Sequence, residues 1–464
     1  MPIHFDPQVD EILDHVDDSL DAGTFPVSVL TDKGLFDREL ERIFTRAWVY
    51  VGHESEITSR GDYVHRYIGK DAFVLVRGED DQVRVLFDSC RHRGALICRA
   101  EKGNASHFRC SYHGWTYANT GEMTGAPMFR KAYGSMDKSK WGLIQAAHVE
   151  NLHGFIFASL DPEAPTLEEY LGEMKWYFDL VYGQLKDGWE VIGEPMRSIV
   201  HANWKTASEN FGGDDYHTMF LHKSLTEVNL TAFYMDDTRA PLSVMHVLAG
   251  NGHSIALDVR PEDDGKGFWM WPNGEELYTD ALGEELYDTA RRTASHVGTI
   301  FPNFSILGFP LQQTVESGPV AMHVIRVWLP RSPTELELIN WVLVPKGLTE
   351  EQKTEAARSA LATFGTSGTF EQDDTEPWEA VARTSETAFA KKIDMQLNYQ
   401  LGMPQNGTAI SRQGDEILSG PGIKYFPAFE EGLLRGFWRR WVQFMRPGDY
   451  PTTMTPAEQD GERG

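Results

Sequence analysis

The strongest constraint on this chain is one short stretch, CRHRGALICRAEKGNASHFRCSYHGW (residues 90–115). It contains a Cys-x-His pair, Cys90 and His92, and a Cys-x-x-His pair, Cys110 and His113. All 3 cysteines of the 464-residue chain lie in this stretch. Three cysteines so placed do not make a disulfide framework. Two loops that each offer one thiolate and one imidazole can bind zinc or an iron–sulfur cluster.

The distribution of ligands favours the cluster. Structural zinc sites usually pair like ligands on one loop, whereas here each loop carries one Cys and one His. That suits a [2Fe–2S] centre in which one iron takes two thiolates and the other two imidazoles, the Rieske arrangement. Gly94 and Gly114 allow close bending of the loops, and Tyr112 and Trp115 are placed to shield the centre. Cys98 has no His at a matching offset and reads as a small buried hydrophobe.

A second constellation lies in NWKTASENFGGDDYHTMFLHKS (203–224). His217 and His222 are five apart, an offset that an ideal helix splays, so only a helix end or an irregularity converges them. Two His with one carboxylate form the facial triad of non-haem Fe(II) oxygenases, which leaves positions open for O₂. The carboxylate can be local, Asp214 or Asp215, or distant. Asp373 and Asp374 in TFGTSGTFEQDDTEPW (363–378) stand at an expected helix start, where an N-cap role is the ordinary reading.

Around these sites the chain reads as α+β. Residues 45–160 carry short β-rich runs and form an all-β unit holding the Cys/His pairs. Residues 1–44 look helical, and 161–464 mix amphipathic helices (166–181, 350–365, 379–393, 429–445) with the alternating strands of 322–345. The polar segment 446–464 is expected to fray. A balance of 43 basic against 69 acidic residues gives −26, which argues against nucleic acid and anionic membrane as partners. No signal peptide or membrane-spanning run is evident, so a soluble, cytoplasmic protein is expected.

These motifs, with ELERIFTRAWVYVGHESEI (39–57), GTIFPNFSIL (298–307) and RVWLPRSP (326–333), make the chain resemble the α subunits of Rieske non-haem iron aromatic-ring-hydroxylating dioxygenases of the naphthalene/biphenyl type. The resemblance implies an all-β Rieske domain inserted in a helix-grip catalytic domain with a large antiparallel sheet. It implies one [2Fe–2S] cluster on Cys90, His92, Cys110 and His113, and one mononuclear Fe(II) on His217, His222 and Asp374. Asp214 matches a bridging residue that would hydrogen-bond His217 and reach His113 of the partner subunit. Asn210 matches a residue beside the iron. Asp215 departs from the family, which commonly has Ala there. Phe211, Thr218, Met219, Phe364 and Phe370 are the implied pocket walls.

The implied reaction is cis-dihydroxylation of an aromatic ring by O₂, with electrons from NADH through a reductase and a ferredoxin. The expected substrate is a neutral mono- or polycyclic aromatic hydrocarbon. An aromatic carboxylic acid such as phthalate is the alternative, as is a Rieske monooxygenase or demethylase reaction. A carboxylate substrate would need a buried cation, and Lys205, Lys223, Arg239 and Arg260 are the nearest in sequence. An α3 trimer is implied, completed by a small β subunit to an α3β3 hexamer.

Overall fold

The structure is a computed structural model that describes residues 7–228, 244–311, 318–403, 417–426 and 430–461. The chain divides into two compact units, Phe44–Ala164 and the combination of Met1–Ile43 with Pro165–Gly464.

The smaller unit is built from short antiparallel strands. One sheet joins Val83–Phe87, Asp71–Arg77, Asp62–Ile68 and Lys102–Asn104 in that order; another joins His107–Arg109, Thr116–Ala118 and Met123–Gly125. A third places Phe155–Ser159 between His148–Leu152 and Val49–His53. Val74, Val76, Leu86, Phe108, Tyr117 and Met123 form one buried core with the three cysteines. Cys98 is buried in it, with its thiol 3.4 Å from the carbonyl of Ala100.

The larger unit is organised by an eight-stranded, wholly antiparallel sheet. Its order is Trp189–Val200, Glu335–Pro345, Val320–Ser332, Phe304–Leu311, Thr293–Ile300, Ser254–Val259, Val244–Leu248 and Ile423–Tyr425. The central strands bury both faces and are correspondingly rich in Val, Ile, Leu and Trp. The helix Gly432–Met445 is buried along most of its length, including Leu433, Phe437, Trp438, Trp441 and Phe444.

Buried Glu39 ties three parts of this unit together. It accepts from Trp204 Nε1 at 2.8 Å and Trp441 Nε1 at 2.9 Å, and pairs with Lys205. A buried carboxylate is tolerated only when so satisfied, and this one fixes the helix Trp204–Asn210 that leads into the second constellation.

Several sequence expectations are corrected. Segment 166–181 is not one helix but two, Leu167–Leu171 and Met174–Tyr182, divided at Gly172 where φ is +52°. Helix 379–393 is the end of a longer one, Thr369–Ser385, followed by Ala388–Lys392. The tail does not simply fray. Pro456–Asp460 is a helix with a Thr455–Glu458 capping box, and it buries Gln459. No helix among the described residues is long and apolar enough to cross a membrane.

Candidate active site

The Cys/His loops are built alike. In the first, Cys90 N–H donates to the carbonyl of Ala95 at 2.8 Å, and Gly94 N–H donates to that of Cys90 at 2.8 Å. In the second, Cys110 N–H donates to Trp115 at 2.8 Å, and Gly114 N–H donates to Cys110 at 3.0 Å. Gly94 and Gly114 have φ of +74° and +72°, the left-handed turn that L side chains avoid. Two equivalent turns therefore face each other, each offering one sulfur and one imidazole.

The sulfurs lie inside and one histidine lies outside. Cys90 and Cys110 are buried, whereas His113 is exposed. The His92 and His113 rings are 4.5 Å apart, and Trp115 stacks on His92 at 5.0 Å and 8°. Trp115 is buried; Tyr112 packs against His113 but is itself largely exposed. His92 Nδ1 is sealed from solvent with no hydrogen-bond partner. A buried nitrogen left so is costly unless something ligates it. The donor set and this orphaned nitrogen fit a [2Fe–2S] cluster with two thiolate and two imidazole ligands.

In the larger unit, the chain leaves the helix Trp204–Asn210 through Gly212 and Gly213. Gly213 has φ of +145°, and a Cβ there would stand 2.4 Å from Leu433 Cδ2, so only glycine lets this turn seat against the buried helix. The next helix, Asp215–Leu221, carries His217, and His222 is its C-cap. The helix end resolves the five-residue offset. His222 leaves the helical path with φ −90° and ψ 8°. The two rings meet with centroids 5.2 Å apart.

Asp374 completes the set. The helix Thr369–Ser385 begins after Gly368, so Asp373 and Asp374 lie one turn inside it and are not its N-cap. Asp374 Oδ1 is 3.4 Å from His217 Nε2 and 3.2 Å from His222 Nε2. One ligand atom from each of the three residues lies within 4.8 Å of the others. Oδ1 is buried yet makes no hydrogen bond of proper geometry, so the three donors face a common point instead of one another. Burial opposes ionisation of Asp374, but the two imidazoles outweigh it and hold its carboxyl well below the usual range. Two neutral nitrogens and one anionic oxygen around a shared point fit a mononuclear Fe(II).

His217 is oriented by main chain. Its Nδ1–H donates to the carbonyl oxygen of Asp214. The Asp214 carboxylate is 3.6 Å from Nδ1, beyond hydrogen-bond reach, and instead accepts from Asn210 Nδ2 at 3.1 Å. The expected side-chain bond from Asp214 to His217 is thus replaced by a main-chain one, because Asp214 sits directly before the helix, where its carbonyl points along the axis.

A pocket, open at its mouth, adjoins the three donors. Phe211, Thr218, Phe364 and Phe370 line it with Asn210, Asp214 and Asp215. Met219 is not among the lining residues. Sequence reasoning missed Val297, Leu307 and Phe309, which complete the apolar wall. Leu307 and Phe309 are two apart on one strand, so alternation in FSILGFPL held the signal. Among the described residues the lining includes no Lys or Arg. Lys205 is bound to Glu39, Lys223 lies near Glu227 and Arg260 pairs with Asp258; Arg239 is outside the described residues.

Comparison with known proteins agrees with this architecture. Residues 47–144 match the Rieske [2Fe-2S] domain family, and residues 167–446 match the ring hydroxylating alpha subunit (catalytic domain) family. The fold and the two centres together define a Rieske-type non-haem iron oxygenase. More particularly, the chain belongs to the ring-hydroxylating alpha-subunit family, whose members hold a [2Fe–2S] cluster and a mononuclear iron.

Among its relatives, the N,N-dimethyl phenylurea N-demethylase subunit alpha of Sphingobium sp. (strain YBL2) is 35% identical, over 94% of this chain and 95% of that protein. The biphenyl 2,3-dioxygenase subunit alpha of Rhodococcus jostii (strain RHA1) is 32% identical, over 92% and 90%. The crystal structure of naphthalene 1,2-dioxygenase from Rhodococcus sp. bound to indole superposes with a TM-score of 0.88 at 39% identity, covering 95% of this chain and 98% of that one.

Proposed function

We propose that this chain is the terminal oxygenase component that cis-dihydroxylates an uncharged aromatic ring, drawing electrons from NADH through a reductase and a ferredoxin. The observation that carries the reading is the pocket. Its walls are Phe211, Phe364, Phe370, Val297, Leu307 and Phe309, and three carboxylates line its floor, with no cation among the described residues. Such a cavity favours a flat apolar ring. An aromatic acid would bring an unpaired anion beside Asp214, Asp215 and Asp374, which is disfavoured both by burial and by like charge.

His217, His222 and Asp374 are assigned to the mononuclear iron, and Cys90, His92, Cys110 and His113 to the cluster. When bound, the iron supplies a site for O₂ and the cluster supplies electrons one at a time. The chain's own residues do the rest. The Asp214 carbonyl holds the His217 proton on Nδ1 and leaves Nε2 as the donor. Asn210 holds the Asp214 carboxylate away from His217, free to face a partner. The phenylalanine walls exclude water and orient the ring. The exposed His113 is the edge through which an electron enters or leaves the cluster, and Asp214 is the residue assigned to meet it across an α3 trimer interface. A small β subunit completing α3β3 belongs to the same reading.

The test is turnover of naphthalene under ¹⁸O₂ with ferredoxin and reductase. Two labelled oxygens in a cis-dihydrodiol support the reading. A single labelled oxygen, or demethylation of an N,N-dimethyl phenylurea without ring oxidation, sinks it in favour of monooxygenation.

A further inference from the structure

Asp215 is the pocket carboxylate that is assigned neither to a metal nor to the bridging role of Asp214. It opens the helix Asp215–Leu221 and lines the pocket. Its Oδ2 is 2.6 Å from Nε2 of His246, a fully buried residue on the strand Val244–Leu248. The other nitrogen of His246, Nδ1, is 3.0 Å from Oε1 of Glu430, which is also buried. Glu430 accepts in turn from the main-chain N–H of Gly432. Only an imidazolium has two N–H groups to serve two carboxylates. Burial disfavours that cation, yet Asp215 and Glu430 outweigh it and raise its pKa to about 9.

This array explains how a carboxylate survives in an apolar wall. One edge of Asp215 is neutralised by a buried cation that is itself anchored from behind. The other edge is uncommitted: among the described residues Oδ1 has no hydrogen-bond partner, and the side chain keeps 14% of its surface exposed. Asp214 is engaged by Asn210, and the hydroxyl of Thr218 donates to the main-chain carbonyl of Asp215.

We infer that Asp215 Oδ1 is a specificity-determining acceptor, selecting neutral aromatic substrates that carry an N–H or O–H donor over their C–H isosteres. The inference rests on the reading of this pocket as the substrate site. A desolvated acceptor facing a C–H group loses its water without replacement, whereas an N–H restores the bond, so discrimination is large.

The test compares indole with indene, which differ by N–H against CH₂. The two are mixed and presented to the iron-loaded oxygenase with its ferredoxin and reductase. The product ratio is read for wild type, Asp215→Ala and Asp215→Asn. Internal competition makes the ratio independent of the fraction of active enzyme. In the isosteric Asn variant, the His246 N–H claims the amide oxygen and turns the NH₂ toward the pocket. Wild type is expected to favour indole, and both variants to lower the ratio by about tenfold or more. A ratio that shifts less than about twofold in both variants, or a wild type that prefers indene, overturns the inference. Dissociation constants of both compounds, measured by calorimetry on oxidised enzyme, give the same comparison without turnover. If wild type binds both but oxidises neither, the oxygenase reading of the pocket fails while the affinity ratio still decides the role of Asp215. Binding of neither overturns both.

Discussion

Asp373 Oδ2 stands 3.2 Å from Nδ1 of His222, on the side of the ring away from Asp374. The two adjacent aspartates thus divide the imidazole between them. Asp373 accepts from His222 Nδ1–H, and Nε2 is left to face Asp374. A carboxylate behind a ligating histidine fixes its tautomer and raises its basicity.

Asp373→Asn is therefore expected to weaken Fe(II) affinity by about ten- to a hundredfold. Titration of the iron-depleted oxygenase with Fe(II) checks this. An unchanged affinity would mean that Asp373 is a solvated neighbour and nothing more.

Removing a ligand of the triad should separate the two centres. His217→Ala and Asp374→Ala are each expected to lose the mononuclear iron while retaining both irons and both sulfides of the [2Fe–2S] cluster. Iron and acid-labile sulfide per chain, with the visible spectrum of the cluster, are the measurements. Loss of cluster and iron together would contradict independent sites.

Tyr117 OH lies 3.4 Å from Cys90 Sγ and accepts from the Arg91 N–H at 3.0 Å. As a ligand thiolate Cys90 can only accept, so the phenol donates. That bond favours the reduced cluster, which carries more negative charge. Tyr117→Phe is expected to lower the one-electron potential by roughly 60 mV, equivalent to about 1.4 kcal/mol. Protein-film voltammetry reads the shift, and a rise in potential would reverse the argument.

Behind the pocket wall, Arg326 donates to buried Glu371 at 2.7 Å, with its guanidinium 4.8 Å from the ring centre of Phe211 and 4.7 Å from that of Phe364. Arg326→Met strands a buried carboxylate and is expected to cost about 3–5 kcal/mol. Arg326→Met with Glu371→Leu should recover much of that loss. Denaturant unfolding of the two variants decides it. Equal destabilisation in both would show that the pair acts through packing alone.

The Asp215–His246–Glu430 array makes stability depend on alkaline pH. His246 has a folded pKa of about 9, above the ordinary histidine value of 6.5. Its contribution, ~3 kcal/mol, is fully present below about pH 6.5 and is lost as pH rises through about 9. Wild type should therefore lose more thermal stability between pH 7 and pH 10 than His246→Gln does. Parallel slopes for the two proteins would remove His246 as the cause.

What the sequence determined was whatever is encoded by residue type at short range. The two Cys/His pairs with their glycines specify both the kind of centre and the loops that hold it. His217 and His222 were visible as a pair, and DD at 373–374 as a candidate carboxylate. The apolar strands of 322–345 implied a buried antiparallel sheet.

Tertiary structure decided what depends on packing between distant segments. No local rule says that His222 ends its helix, that Asp373 and Asp374 sit inside theirs, or that Val297, Leu307 and Phe309 line the pocket. Asp215 shows the difference most clearly. In sequence it is one more acidic residue beside a histidine motif. Its character is set by His246 and Glu430, which reach it from a strand and from the start of a buried helix. The charge of a buried group is a property of everything packed around it, and only the fold brings those groups within 3 Å of one another.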